Sequence, residues 1–365
     1  MIEQIKAFCA KSEQDLRSKL SSDKTNIAII AYYPTYRTKF GNLIPKLKQK
    51  YNVFTIVDRI LNDDFEKSGH HNILFPYRII EQGQTYYLNM DIPEIELILT
   101  ADGVGYENGR IDREFLSKKA TRIYFPHTFN IATGYNIPVD YFIVPSKTLM
   151  KIYAHHIKDS KRLLPCGYPT LDVAISKYHY QSQNTLTYAP TLRYADPKRS
   201  ANLMAFAGFD CNLIEWLLKN THYNISYRAH PINYLNNHIF HNLIKQRWQG
   251  EKRVNIDNKL GTAFYNYSDF LITDTSGTAF TYSYTTLRPS FFFAPYPLDE
   301  KSKDGNHIIP AKTAKNFSQL KSLIESIEEK KDREYFYNLR ESDIYNVGKS
   351  EEAILEKIEE ILAKR

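Results

Sequence analysis

The sequence predicts an α/β protein made of two doubly wound parallel-sheet domains that face a central cleft. Three observations carry this. Short apolar runs without helical spacing alternate with stretches of helical periodicity, the pattern of parallel strands covered by helices on both faces. The alternation begins afresh in the second half of the chain, near residue 185. The 365 residues also exceed the usual domain size of roughly 100–200 residues, so two domains are expected. The expected division is 1–155 for an N-terminal domain and 156–345 for a C-terminal one. Residues 346–365 are expected to form a terminal helix packing back on the first domain.

The elements follow in order. The opening 20 residues carry charges every few positions and read as an amphipathic helix, neither a signal peptide nor a membrane span. Residues 26–33 (NIAIIAYY) form a buried strand by length and composition. Residues 36–48 have partly helical spacing with basic exposed positions, and 53–57 (VFTIV) form the next strand, closing one β-α-β unit. Further strands are expected at 73–75, 95–99, 122–125 and 141–144. A link is expected near 150–184. The second half then reads strand 185–188, helix 203–219, strand 225–228, helix 238–247, strand 254–256 and a short helix at 262–267. Strand 270–273, helix 278–286 and strand 290–293 follow, and helices at 317–330 and 351–364 close the chain. No repeat of the 20–50-residue kind is visible, which excludes a solenoid.

Composition narrows the function classes. Hydrophobic residues make up 42% and charged residues 24%, which excludes disorder as the main state. The formal charge of +7 is small for this length and argues against a nucleic-acid binder with a strong basic face. It suits a protein that works against an anionic inner leaflet. No run of about 18 apolar residues occurs, so no bilayer crossing is expected. Cys9, Cys166 and Cys211 lack disulfide or metal spacing, which fits a reducing, cytoplasmic compartment. The 50 aromatic residues (28 Tyr, 20 Phe and 2 Trp) follow a bias of composition and carry no functional weight.

Ligands of doubly wound sheets bind outside the carboxyl ends of strands, so chemistry is sought there. In residues 268–284 (SDFLITDTSGTAFTYSY) a strand runs through Thr275, Ser276, Gly277 and Thr278 into a helix. Small hydroxyl residues and a glycine at a helix N-terminus suit a phosphate, and equally suit an ordinary N-cap. In residues 226–232 (SYRAHPI), Arg228 and His230 sit at a strand end that Pro231 terminates. In residues 122–130 (RIYFPHTFN), His127 is placed the same way in the first half. A strand-end histidine can bind phosphate oxygen or move a proton, although most of the 11 histidines must be inert. Residues 187–193 (TYAPTLR) place Thr191 and Arg193 at a cleft edge, where a guanidinium could clamp a phosphate or simply complete a turn.

Other features carry less. His70–His71 and His155–His156 point apart as sequence neighbours and lack companions at ligand spacing, so no metal is expected. Asp63, Asp64 and Glu96 form no acid pair for glycoside hydrolysis. Residues 102–105 (DGVG) lack the third glycine of a dinucleotide fingerprint, and no cofactor is expected. Residues 46–50 (KLKQK) and Lys330–Lys331 read as solvated helix faces.

Taken together, TYAPTLR, RAHP and SDFLITDTSGTAFTYSYTTLRPSFFF, preceded by GYPTLD at 167–172, resemble the CDP-glycerol glycerophosphotransferase family of teichoic-acid and capsule enzymes. The resemblance covers roughly residues 120–295. It implies a GT-B-like fold of two Rossmann-like domains and a metal-independent transferase. Such an enzyme moves an alditol phosphate from a CDP-linked donor to a hydroxyl of a polysaccharide or lipid-linked acceptor, at the inner face of the membrane. It further implies His127 and His230 as catalytic residues, with Thr191, Arg193, Arg228, Thr275, Ser276, Gly277 and Thr278 around the donor. The chain departs from the family at Phe125-Pro126-His127-Thr128, which lacks the usual Trp and Gly around the histidine. Asp274-Thr275-Ser276-Gly277 also replaces Asp-Tyr-Ser-Ser. These departures leave open a glycosyltransferase using a CMP- or UDP-sugar, and a non-catalytic nucleotide-binding relative.

Overall fold

The parallel strands form two sheets of matching order. The computed structural model describes residues 2–30, 38–57, 72–74, 78–81, 84–87, 91–101, 116–126, 128, 137–193, 207–235, 239–257, 261–274, 276–295 and 312–364. The chain separates into two compact units, Met1–Val173 with Ile344–Arg365, and Ala174–Asp343.

In the first unit, α1 (Ile2–Ser18) precedes β1 (Asn26–Ile30), α2 (Leu43–Lys50), β2 (Asn52–Val57) and β3 (Asn72–Leu74). An antiparallel hairpin follows, β4 (Arg78–Glu81) with β5 (Gln84–Tyr87). Next come β6 (Ile95–Thr100), β7 (Thr121–Tyr124), β8 (Tyr141–Ile143), α3 (Lys147–His156), β9 (Leu163–Leu164) and α4 (Pro169–Ser176), whose last three residues fall in the second unit. The sheet order is β3-β2-β1-β6-β7-β8-β9, parallel throughout. All five residues of β1 are buried, as an apolar run with helices on both faces requires. The segment expected to link the halves is therefore mostly structured. Ser146 caps α3 by accepting from Leu149 N at 3.1 Å, and Leu163–Leu164 supplies the edge strand. With only two residues, β9 is too short to leave a periodic signal.

In the second unit, β10 (Thr185–Tyr188), α5 (Ala207–Asn220), β11 (Asn224–Tyr227), α6 (Pro231–Leu235), α7 (Ile239–Trp248) and β12 (Val254–Ile256) come first. They are followed by β13 (Ser268–Thr273), α8 (Thr278–Thr286), β14 (Ser290–Phe293), β15 (Lys312–Ala314), α9 (Phe317–Glu325) and α10 (Glu329–Asp343). The order β12-β11-β10-β13-β14-β15 is the 3-2-1-4-5-6 arrangement of dinucleotide-binding sheets. The single helix expected at 317–330 is instead two, α9 ending at Glu325 and α10 (EKKDREYFYNLRESD) running from Glu329 to Asp343. The charges of α10 read as solvated surface, yet Phe336 and Arg340 on one face are buried, and Arg340 donates to Tyr284 O at 3.0 Å.

Helix α11 (Ser350–Leu362) belongs to the first unit. Ile354, Ile358 and Ile361 recur at helical spacing and enter the core beside Phe40, Leu43 and Leu47. Its start is fastened by polar groups. Asp172 accepts from Gly348 N at 2.7 Å and from the Ser350 N at 2.8 Å and hydroxyl, while Glu351 accepts from Asn42 N at 2.6 Å and pairs with Lys46 at 2.8 Å. Gly167, of the GYP turn, has φ +95°, and a Cβ there would meet Tyr345 O at 2.3 Å. Only glycine fits that backbone and that approach.

Candidate functional site at the carboxyl ends of β10, β11 and β13

In the second sheet β10 lies between β11 and β13, so the chain winds away from it in opposite directions. Tyr188 of β10 stands level with Tyr227 of β11 and Ile272 of β13. The residues that leave these ends, 189–193, 228–231 and Asp274, consequently emerge side by side. This is the topological switch point, where such sheets hold their ligands.

Arg193 organises the first of these segments. Its side chain is 2% exposed, and all five N–H donors of a guanidinium are used within the protein. Nε and Nη2 donate to Asp210 at 3.1 and 2.8 Å, Nη1 to Asp274 at 2.5 Å and to Thr191 O at 3.2 Å, and Nη2 also to the Tyr188 hydroxyl at 3.3 Å. Tyr188 in turn donates to Asp210. The Arg193 backbone N donates to Asn233 Oδ1 at 2.8 Å, and Asn233 Nδ2 donates back to Arg193 O at 2.7 Å. Thr191 N donates to Asp274 Oδ1 at 2.9 Å, and the Thr273 hydroxyl to Ala189 O at 2.6 Å. The phosphate-clamping role expected of Arg193 does not match this geometry, because no donor remains for a ligand. Thr191 is tied down through its backbone.

His230 opens α6. Its carbonyl accepts from Asn233 N at 2.8 Å and Tyr234 N at 3.1 Å, and Pro231 takes the first helical position, where its missing N–H costs nothing. Burial pulls the imidazole down from its ordinary value to about 4, with the Asp274 carboxylate acting weakly in the opposite sense. At neutral pH the ring is uncharged, with one nitrogen able to donate and the other to accept. Arg228, expected at the donor, is engaged elsewhere. It donates to Asp257 at 2.8 Å and to Gly261 O at 2.6 Å, and its guanidinium lies 4.5 Å from the Phe264 ring centroid. Those contacts fasten the end of β11 to the segment beyond β12.

Beyond Asp274, α8 starts with Gly277 at its N-cap and no side-chain cap bond from that residue. The Ser276 hydroxyl donates to Thr278 Oγ1 at 3.1 Å and accepts from Thr278 N at 3.3 Å. Ser276, Gly277 and Thr278 are half-buried, so this nine-residue helix keeps a reachable N-terminus at the switch point. Thr275 and His127 lie outside the described residues. The structure thus brings Thr191, Arg193, His230 and Asp274 into one network, three to four residues from the start of α8.

Sequence reasoning missed Asp210, Tyr188 and Asn233. Asp210 did leave a signal. It heads the stripe Asp210, Leu213, Ile214 and Leu217, all fully buried, so a carboxylate occupies an apolar-face position of α5 and must find a partner. Among the described residues no group of three or more His, Cys, Asp or Glu could hold a metal ion. Burial pushes the Cys166 thiol up to about 12, which makes it inert.

A family model for CDP-Glycerol:Poly(glycerophosphate) glycerophosphotransferase matches residues 130–360, a span that includes every segment of this switch point. No curated protein matches the sequence. Among solved structures, the wall teichoic acid polymerase TagF is similar at TM-score 0.56 and 17% identity, with 98% of this chain and 92% of that one covered. A TagF variant soaked with CDPG is similar at 0.56 and 17%, with 99% of each chain covered. The UDP-GlcNAc 2-epimerase of Methanocaldococcus jannaschii follows at 0.55 and 12%, with 92% of this chain and 99% of that one covered. At such identities the likeness is one of fold, α/β and GT-B-like. The family match spans well over half of the chain, and on that ground the chain belongs to the CDP-glycerol:poly(glycerophosphate) glycerophosphotransferase family.

Proposed function

We propose that the protein transfers an alditol phosphate, glycerol phosphate or a close relative, from a CDP-activated donor. The acceptor is a hydroxyl of a teichoic-acid-like, capsular or other cell-surface polymer, polysaccharide or lipid-linked. The observation that carries this reading is the side-by-side emergence of the RAHP and TDTSG segments on either side of β10, inside the span that the family model matches. The donor lies on the second unit, with its diphosphate at the start of α8, where Ser276, Gly277, Thr278 and the neighbouring Thr275 offer hydroxyls and backbone N–H groups.

The acceptor oxygen attacks the phosphorus that bears the alditol, the bond from that phosphorus to the CMP oxygen breaks, and CMP departs. His230 donates its N–H to a phosphate oxygen as charge shifts toward CMP. His127 takes the acceptor proton. Phosphoryl transfer needs position and charge stabilisation more than covalent help. The acceptor chemistry would bring the protein to the inner face of the membrane as a peripheral visitor. No helix among the described residues is long and apolar enough to cross one.

The test is a panel of CDP-alditols, CMP-sugars and UDP-sugars with products identified by mass spectrometry. Transfer from a CDP-alditol with release of CMP is expected, and release of CMP or UDP from a sugar nucleotide alone would replace this reading with glycosyl transfer. CDP should raise the melting temperature more than UDP, GDP or ADP. His127→Ala and His230→Ala should each slow transfer by about 10²–10⁴-fold. Excess EDTA should leave the rate unchanged, and a loss restored by Mg²⁺ would overturn metal-independent transfer.

A further inference from the structure

We infer that Arg193, Asp210 and Asp274 form a positioning cluster that locks the three switch-point segments together and thereby aims His230, without touching the donor. The inference deepens the functional reading above and rests on it for the identity of the reaction. Each of the three segments is held by this one buried group. The segment after β10 carries Arg193 itself. The segment after β11 is tied to it by the paired Asn233–Arg193 backbone and side-chain bonds, and Asn233 N donates to His230 O. The segment after β13 is tied by Asp274, which accepts from Arg193 and from Thr191 N. Asp210 anchors the whole to α5 through a two-pronged contact with Arg193.

Two features separate this from direct phosphate binding. The guanidinium has spent all five donors on the protein. The side chains of Arg193, Asp210 and Asp274 are also no more than 2% exposed, so none of them presents a surface to a ligand. Planar, two-pronged contact is what arginine supplies and lysine does not, so retaining the charge alone should not retain the lock.

The experiment compares Arg193→Lys and Asp210→Asn with the double variant, each first shown to unfold cooperatively. Each single variant should lower kcat by about tenfold or more, because small misplacement of reacting groups is costly, while donor KM moves less than about threefold. The double variant should be no worse than the poorer single one. The opposite split would overturn the inference: Arg193→Lys acting only on KM, with Asp210→Asn tightening CDP binding because it frees the guanidinium. So would two single variants within twofold of the parent. A second readout needs no turnover. In nitrogen-15 histidine spectra the His230 signal, identified by its loss in His230→Gln, should shift in both single variants, while that of exposed His222 stays. An unmoved His230 signal would end the inference. Failure of the parent protein on every CDP-linked donor, with His230 still responding to Arg193 and Asp210, would overturn the functional reading and leave the cluster standing.

Discussion

The two units share a strand order but place their buried charge differently. In the first, half-buried Asp172 and buried Glu351 fasten the start of α11. In the second, Asp210 and Asp274 stand with Arg193 where three strands end. The sequences after the two leading strands are alike: Tyr-Tyr-Pro-Thr-Tyr-Arg at 32–37 and Tyr-Ala-Pro-Thr-Leu-Arg at 188–193. The difference teaches that strand order sets where a crevice opens, while buried polar residues set what that place does. In the first unit such residues secure an assembly of chain ends. In the second they tie together the ends of three strands.

The largest expected effect breaks the second arrangement outright. Arg193→Met leaves two buried carboxylates without their partner and should cost about 3–5 kcal/mol of stability, read by denaturant unfolding. A loss below about 1 kcal/mol would mean that the cluster is not the pin described here. Next comes pH. His230 has a folded value of about 4 against an ordinary one near 6.5, so the unfolded chain binds the extra proton between those values. Its contribution to instability is absent above about pH 6.5 and grows as pH falls, reaching roughly 3 kcal/mol near pH 4. His241, also depressed by burial, acts with the same sign. In His230→Gln the slope of stability against pH should flatten across this window, and an unchanged slope would contradict the buried neutral ring. CDP binding should also move the His230 titration upward, since a phosphate favours the charged ring.

The first unit supplies the matching tests. Gly167→Ala forces a side chain onto a backbone at φ +95° and against Tyr345 O. It should cost about 1–3 kcal/mol, with proteolysis first releasing the C-terminal helix. Smallest of all, Lys50→Ala removes an exposed pair with Glu359 and should leave the unfolding midpoint almost unmoved. A larger loss there would show that the fastening of α11 depends on its surface pairs and not on Asp172, Glu351 and its isoleucine face.

Much of this architecture was legible in the sequence because buried parallel strands read as uninterrupted apolar runs. NIAII, TLTY, FLIT and SFFF each announce themselves that way. Two-residue β9 and the charged helix α10 were not legible, the first for want of length and the second because its buried stripe is thin. At the candidate site, the strand-end positions of His230 and of the start of α8 could be read from proline and small-residue signals. The role of Arg193 could not. Its meaning depends on Asp210, 17 residues on, and Asp274, 81 residues on, and a local motif shows a guanidinium without showing what has already claimed it.

The return of the last helix to the first unit has a consequence for how the molecule is made. Synthesis runs from the N-terminus, and domains generally close as they emerge. Here the whole of the second unit is translated before Ile354, Ile358 and Ile361 exist to cover Phe40 and Leu43. The first unit of the nascent chain therefore keeps an oily face bare until residues 350–362 are translated.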